Sequence, residues 1–106
     1  ELSGARDFRA SDAVAMTPDG PLWYRGLALA PDEQALPVLQ QVLAGQKARR
    51  IVMGHTIQEQ GIKLRFNGQV ALIDVGMSRR TGGNKAACLI IDSTAAGDKL
   101  TPQQAP

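Results

Sequence analysis

The run Arg50-Ile51-Val52-Met53-Gly54-His55-Thr56 carries a short apolar stretch to an abrupt end at the only histidine of the 106-residue sequence. Imidazole suits metal binding and proton transfer near neutral pH. The carboxyl end of a buried strand is where open α/β sheets place their chemistry. One histidine can assemble neither a metal centre nor a catalytic dyad, so the sequence reads as part of a larger active site. From spacing alone, a single His is more often a hydrogen-bonded structural residue. Three neighbours favour the functional role: Gly54 permits a tight turn, Thr56 can bond locally, and Ile57 to Gly61 is polar and loop-like.

A second region with chemical potential is Met77-Ser78-Arg79-Arg80-Thr81-Gly82-Gly83-Asn84-Lys85. Guanidinium forks beside exposed backbone N–H groups suit a phosphate or a carboxylate. A solvated, flexible loop is an equally good account of the same residues. The Walker spacing and its Lys-Ser/Thr pair are absent, so this is no P-loop. Asp74 reads first as a strand-end acceptor and second as a partner for His55 or an arginine. Trp23 and Arg25 form a conceivable pocket wall; alternatively Trp23 packs on the hairpin and Arg25 points to water.

The elements that must position these groups follow from patterning. Pro18-Asp19-Gly20-Pro21 is an emphatic turn signal, preceded by weakly patterned residues with a short helix around Ser11 to Met16. Residues Leu22 to Gly26 read as a short extended segment or ordered loop. Ala30-Pro31-Asp32-Glu33 is a plausible helix-entry region, after which Leu36, Leu39 and Leu43, with Val38 and Val42, place one apolar face on a helix. Pro37 fits only its first turn, so the helix is expected to start near Leu36 and to stop at Gly45. Arg50 to Met53 is a strand. Ile62 to Phe66 and Gln69 to Val75 flank Asn67-Gly68, a strong hairpin signal. That turn puts Ile62, Leu64 and Phe66 on one face with Ala71, Ile73 and Val75, and Lys63 and Arg65 on the other.

Ala86 to Ile91 is a further strand, and residues 94–106 are expected to be a flexible tail. The order helix, strand, β-hairpin, strand makes half of an α/β layered domain. A helix on one face of four strands leaves the other face needing a partner layer. The expected divisions are 1–20, poorly patterned; 21–93, the layered unit; and 94–106, the tail.

Composition bounds the rest. The length is that of one small domain, and 43% apolar with 21% charged residues is ordinary for a globular chain. Aromatic content of 4% makes the core aliphatic. A net charge of +2 with no basic run longer than two is a poor footprint for nucleic acid. One cysteine, Cys88, excludes an intrachain disulfide framework and a multi-Cys zinc site, and reads as a small buried hydrophobe. No apolar run approaches the ~20 residues that span a bilayer.

Gly20-Pro21-Leu22-Trp23-Tyr24-Arg25-Gly26, Ile51-Val52-Met53-Gly54-His55-Thr56 and Asp74-Val75-Gly76-Met77-Ser78 together resemble the C-terminal part of a calcineurin-like metallophosphoesterase. The closest likeness is to the bacterial Shewanella-like branch of the phosphoprotein phosphatases, over residues 18 to 92. The resemblance implies the C-terminal half of an αββα sandwich and a site for two divalent metal ions of the Mn, Fe or Zn class. It implies hydrolysis of a phosphorylated substrate, either a phosphoprotein or a small phosphate ester. His55 matches the last metal-binding histidine of that family. Arg79 and Arg80 match the loop overhanging the substrate, and Arg25 matches an arginine of the Gly-Pro-Leu-Trp-Tyr-Arg motif.

The family's Asp-x-His, Gly-Asp-x-x-Asp-Arg-Gly and Gly-Asn-His-Glu motifs are missing from this sequence, as is a further ligand histidine. The resemblance therefore puts most metal ligands and the general acid in a missing N-terminal half, with no catalytic group here. The isolated chain is expected to be inactive, to bind divalent metal weakly or not at all, and to self-associate through uncovered apolar surface. Two other readings are a free-standing anion- or protein-binding module and a structural remnant that dimerises through its open sheet face.

Overall fold

The computed structural model describes residues 17–106. The helix expected around Ser11 to Met16 lies outside them. The chain divides at Ala30/Pro31 into two compact units. In the described part of the first unit, the turn signal is realised directly. The Gly20 N–H donates to Thr17 O, and Trp23 and Tyr24 N–H both donate to Gly20 O at 3.0 and 2.9 Å. Leu22 to Arg25 is therefore an ordered turn rather than an extended segment. A single-turn helix, α1, spans Gly26–Leu29.

The second unit opens with α2, Asp32–Gln46. It begins four residues before the expected start, because Pro31 serves as N-cap and accepts the N–H groups of Gln34 and Ala35. Asp32 and Glu33 then sit in the first turn, where carboxylates meet the positive end of the helix dipole. Pro37 lies inside the helix on its exposed side. Its missing N–H leaves only the Glu33 carbonyl without an intrahelical donor.

Nor does the helix stop at Gly45. It runs through to Lys47, which adopts the left-handed conformation at φ 51°. Lys47 N–H donates to Ala44 O and Ala48 N–H to Leu43 O, the paired bonds that close a Schellman motif. Ala35, Leu39 and Leu43, one turn apart, are buried. Leu36, Val38 and Val42 remain more than a third exposed.

A mixed three-stranded sheet follows: β1 (Ile51–Met53), β2 (Lys63–Arg65) and β3 (Val70–Leu72), in the order β1-β3-β2. β3 runs parallel to β1 and antiparallel to β2. The hairpin register is the one a two-residue Asn67-Gly68 turn demands, with Leu64 opposite Ala71 and Arg65 opposite Val70. Asn67 (φ 52°) and Gly68 (φ 83°) supply the two positive φ angles of a type I′ turn. Phe66 shares the positive φ, and the Arg65 guanidinium stands 4.7 Å from its ring centroid.

Burial departs from the expected alternation. Val70, Ala71 and Leu72 are 0%, 0% and 1% exposed, so β3 is covered on both faces. The face expected to point Lys63 and Arg65 to water is the helix side. Arg65, its side chain 9% exposed, donates to Asp32 Oδ1 at 2.6 Å and so ties β2 to the start of α2. The opposite face bears Val52, Leu64 and Ile73, each between a third and a half exposed. The α/β class holds; on that face the flanking side chains are part-exposed while Ala71 of the central strand is sealed, so the face is not fully open.

Residues 94–106, expected as a tail, fold instead. β4 (Ala87–Thr94) and β5 (Gly97–Gln104) form an eight-residue antiparallel hairpin, a two-stranded sheet separate from the first. β4 therefore does not make a fourth strand beside β1–β3. Cys88 sits on it exposed, not buried. The hairpin is fastened to the start of β1 by charge. Arg50 donates through Nη1 to Asp98 Oδ2 at 2.8 Å and through Nε to the Gly68 carbonyl at 2.7 Å. Ser93 Oγ donates to Asp98 Oδ1 at 2.8 Å, and Arg49 stands 3.5 Å from the same oxygen. The Arg50 and Ser93 hydrogen bonds hold the Asp98 carboxyl below its ordinary value of 3.8. No helix among the described residues is long and apolar enough to cross a membrane.

Candidate functional site

Because β1 and β3 are parallel neighbours, their carboxyl ends leave the sheet at one edge. His55 follows β1 by two residues, and the Gly-rich basic loop follows β3. The ladder carries on past both strands, with Ile73 N–H donating to Met53 O at 2.9 Å. Topology alone therefore brings together the two segments singled out in the sequence.

The sharp turn after β1 falls on His55 rather than on Gly54. His55 has φ 64°, in the left-handed region, whereas Gly54 has no positive φ. A non-glycine residue there costs of order 1 kcal/mol and persists only where neighbours impose it. The neighbour is Asp74: His55 N–H donates to its Oδ2 at 3.1 Å, and Gly76 N–H donates to its Oδ1 at 3.0 Å. The Asp74 main-chain carbonyl accepts Gln58 N–H at 2.7 Å. Of its two readings, the strand-end acceptor is the one seen. The His55 side chain itself is exposed.

The loop from Gly76 to Asn84 is folded on itself. Ser78 Oγ accepts Arg80 N–H, and the Ser78 carbonyl accepts Thr81 N–H and Gly83 N–H, both at 2.9 Å. Asn84 closes the base: its N–H donates to Gly76 O at 3.1 Å and its Nδ2 to Val75 O at 2.8 Å. Gly76 is needed there. At φ +66°, an added Cβ would lie 2.8 Å from the Thr81 carbonyl oxygen and 2.9 Å from Ile57 Cγ2. Arg79 and Arg80 occupy a single 3-10 turn, Arg79–Thr81, with both side chains exposed. The loop is thus an organised platform presenting two guanidinium groups.

Ser78 and Asn84 organise this loop and were not singled out from the sequence. A serine two residues before a main-chain N–H is a recognisable local-turn signal. Asn84 leaves no such trace, because it bonds back across eight and nine residues. Arg25 belongs to the first unit, directly before α1, and its side chain is half-buried. Trp23 and Tyr24 beside it are each nearly half exposed. An open concavity of ≈ 660 Å³ is lined by residues 57–64 and includes none of His55, Arg79 or Arg80.

The donor set does not make a metal centre by itself. Among the described residues no three His, Cys, Asp or Glu side chains are grouped. Both carboxylate oxygens of Asp74 already face backbone N–H groups. His55 is one exposed nitrogen donor.

The sequence is similar to an uncharacterized protein of the fission yeast Schizosaccharomyces pombe. The two are 42% identical over 72 residues, 68% of this chain and 22% of the yeast protein. The chain thus spans about a fifth of the length of that relative. No family model matches the sequence. No solved structure matches it either.

Proposed function

We propose that this chain is the C-terminal part of a metal-dependent phosphatase of the calcineurin-like class. It would hydrolyse phosphate esters at a two-metal site most of whose ligands lie outside these 106 residues. The observation that carries the reading is the shared edge. An exposed imidazole and an organised loop with two exposed arginines leave adjacent parallel strands at their carboxyl ends. Bound divalent cations would supply a nucleophilic water at neutral pH and polarise the phosphoryl group. His55 is the nitrogen donor this chain offers to them. Arg79 and Arg80 grip phosphoryl oxygens, for which a planar guanidinium fork is well shaped. Arg25 is the substrate-side candidate from the first unit. The part-exposed side chains of Val52, Leu64 and Ile73 fit a domain whose second layer lies elsewhere.

The decisive experiment follows phosphate release from p-nitrophenyl phosphate by the full gene product in Mn²⁺. Replacing His55 by Ala is expected to lower kcat/KM by at least ~100-fold, more than the loss of an outer-shell partner. Arg79→Ala or Arg80→Ala is expected to act mainly through KM. No phosphate release, or release indifferent to His55, overturns the proposal. The 106-residue chain alone should be inactive and should self-associate. A sharply folded monomer in sedimentation speaks against an uncovered sheet face.

A further inference from the structure

We propose that Asp74 is the positioning residue of this edge, a carboxylate staple that sets His55 and the basic loop in one fixed geometry. The inference deepens the proposed function and rests on it for the identity of the oxyanion. Three observations meet at this residue. Its two carboxylate oxygens are divided between the two segments, one for His55 N–H and one for Gly76 N–H. Both donor residues are held at positive φ, 64° and 66°. Its own carbonyl takes Gln58 N–H, so the strand that carries it also restrains the chain beyond His55.

The arrangement is economical for coupling. Hydrogen bonds from N–H groups to an ionised carboxylate are shorter and stronger than those between neutral partners. The segments it joins are 21 positions apart at His55 and Gly76, so a shift of the loop root is transmitted to the histidine backbone through one side chain. Behind Gly76, Asn84 clips the far end of the loop to Val75 and Gly76. An oxyanion seated on Arg79 and Arg80 therefore pulls on a closed ring whose attachment point is Asp74. His55 is placed by that ring and does not itself need to touch the anion.

The test is solution NMR on the full gene product with inorganic phosphate as probe. In the wild-type chain, through-hydrogen-bond couplings from the His55 and Gly76 amide nitrogens to the Asp74 carboxylate carbon are expected. Absence of both couplings overturns the staple without any substitution being made. In Asp74→Asn, which keeps one acceptor, amide exchange at His55 and Gly76 is expected to speed up together by at least ~10-fold while Leu39 and Val70 stay protected. A merely structural role would move the core amides as well. Phosphate is expected to shift the Arg79, Arg80 and His55 resonances with one dissociation constant in the wild type. In Asp74→Asn the His55 response alone is expected to vanish. A His55 response that survives overturns the proposal. If phosphate shifts nothing in the wild type, the anion-binding reading fails, and the couplings and exchange rates still decide the staple.

Discussion

β3 and β4 are both short apolar runs, yet they meet opposite fates. Val70 to Leu72 is sealed on both faces, whereas Ile90 and Ile91 of β4 are 44% and 42% exposed. The difference lies in neighbours rather than in residue type. β3 has a strand on each side and the start of α2 tied to the strand beside it; β4 has β5 alone. Within the second unit the core is shared by β3, the inner face of α2 and Val75, and the candidate site hangs from the carboxyl end of β3. The hairpin is held at the opposite, amino end of β1 by a charged clasp.

The sharpest way to break this contrast is a paired truncation. Leu72→Ala is expected to cost about 2–5 kcal/mol in urea unfolding, the range for a large side chain removed from a close-packed core. Ile90→Ala is expected to cost well under half of that. Equal losses would show that the hairpin shares the core. Next in size is Gly76→Ala, expected to destabilise by about 1–3 kcal/mol through positive φ and the crowding by Thr81 and Ile57. Its effect should be confined to the loop and His55 in amide spectra, leaving Leu39 unmoved.

Arg50→Ala tests the other end. Faster amide exchange throughout β4 and β5 is expected, with β3 unchanged. The clasp also carries a pH signature. The Asp98 carboxyl titrates lower in the folded chain than its ordinary 3.8, so its stabilising contribution is complete above that value. It is lost as pH falls through the folded value. Hairpin protection should therefore fade on acidification below pH 3.8 in the wild type, and this component of the pH dependence should be absent from Arg50→Ala. The smallest effect on stability belongs to Arg79→Ala and Arg80→Ala, expected to stay within about 0.5 kcal/mol because both side chains are exposed. Their phosphate affinity should fall nonetheless, and an unchanged titration would detach the loop from anion binding.

These contrasts track what the sequence made legible. The Asn67-Gly68 turn, the register across it and the strand before His55 were readable because their signals are local: two positive φ residues and an apolar run ended by glycine. The helix ends were misplaced for a local reason too. Pro37 argued for a start near Leu36 yet sits within the helix, which enters at Ala30 to Glu33, and a left-handed Lys47 does at the other end what Gly45 was expected to do. The β4–β5 hairpin was hidden more deeply. Neither Ala95 nor Ala96 has a positive φ; the positive angle sits on Gly97, and Pro102 lies within β5 opposite Leu89. A proline in a strand pattern argues against the strand unless it lies at an edge, as β5 does.

The candidate site divides in the same way. His55, Arg79 and Arg80 were identified by chemistry, and Asp74 by its position at a strand end. The hold of Asp74 on His55 depends on parallel pairing between β1 and β3, a nonlocal fact that no short window contains. The part-exposed flanks of the second sheet face were foreseeable from counting layers, but the complete burial of Ala71 on that face was not. The helix-side placement of Arg65 was not, since a half-buried guanidinium there is held by Asp32, 33 residues earlier.

The type I′ bend at Asn67-Gly68 has one more consequence. Gly68 lends its carbonyl to Arg50, and a methyl group on it would sit 2.6 Å from Leu100 Cδ1. The bend is thus also the seat on which the last strand rests. Until β2 and β3 have closed, that seat does not exist, and the final twenty residues have nothing to dock on. The local reversal, closing a short loop, is expected to form before the distant hairpin docks, an order that amide-protection kinetics would read. Position 68 consequently answers first to its backbone angle, φ +83°, and only second to Leu100 Cδ1, the tip of a side chain that can turn aside.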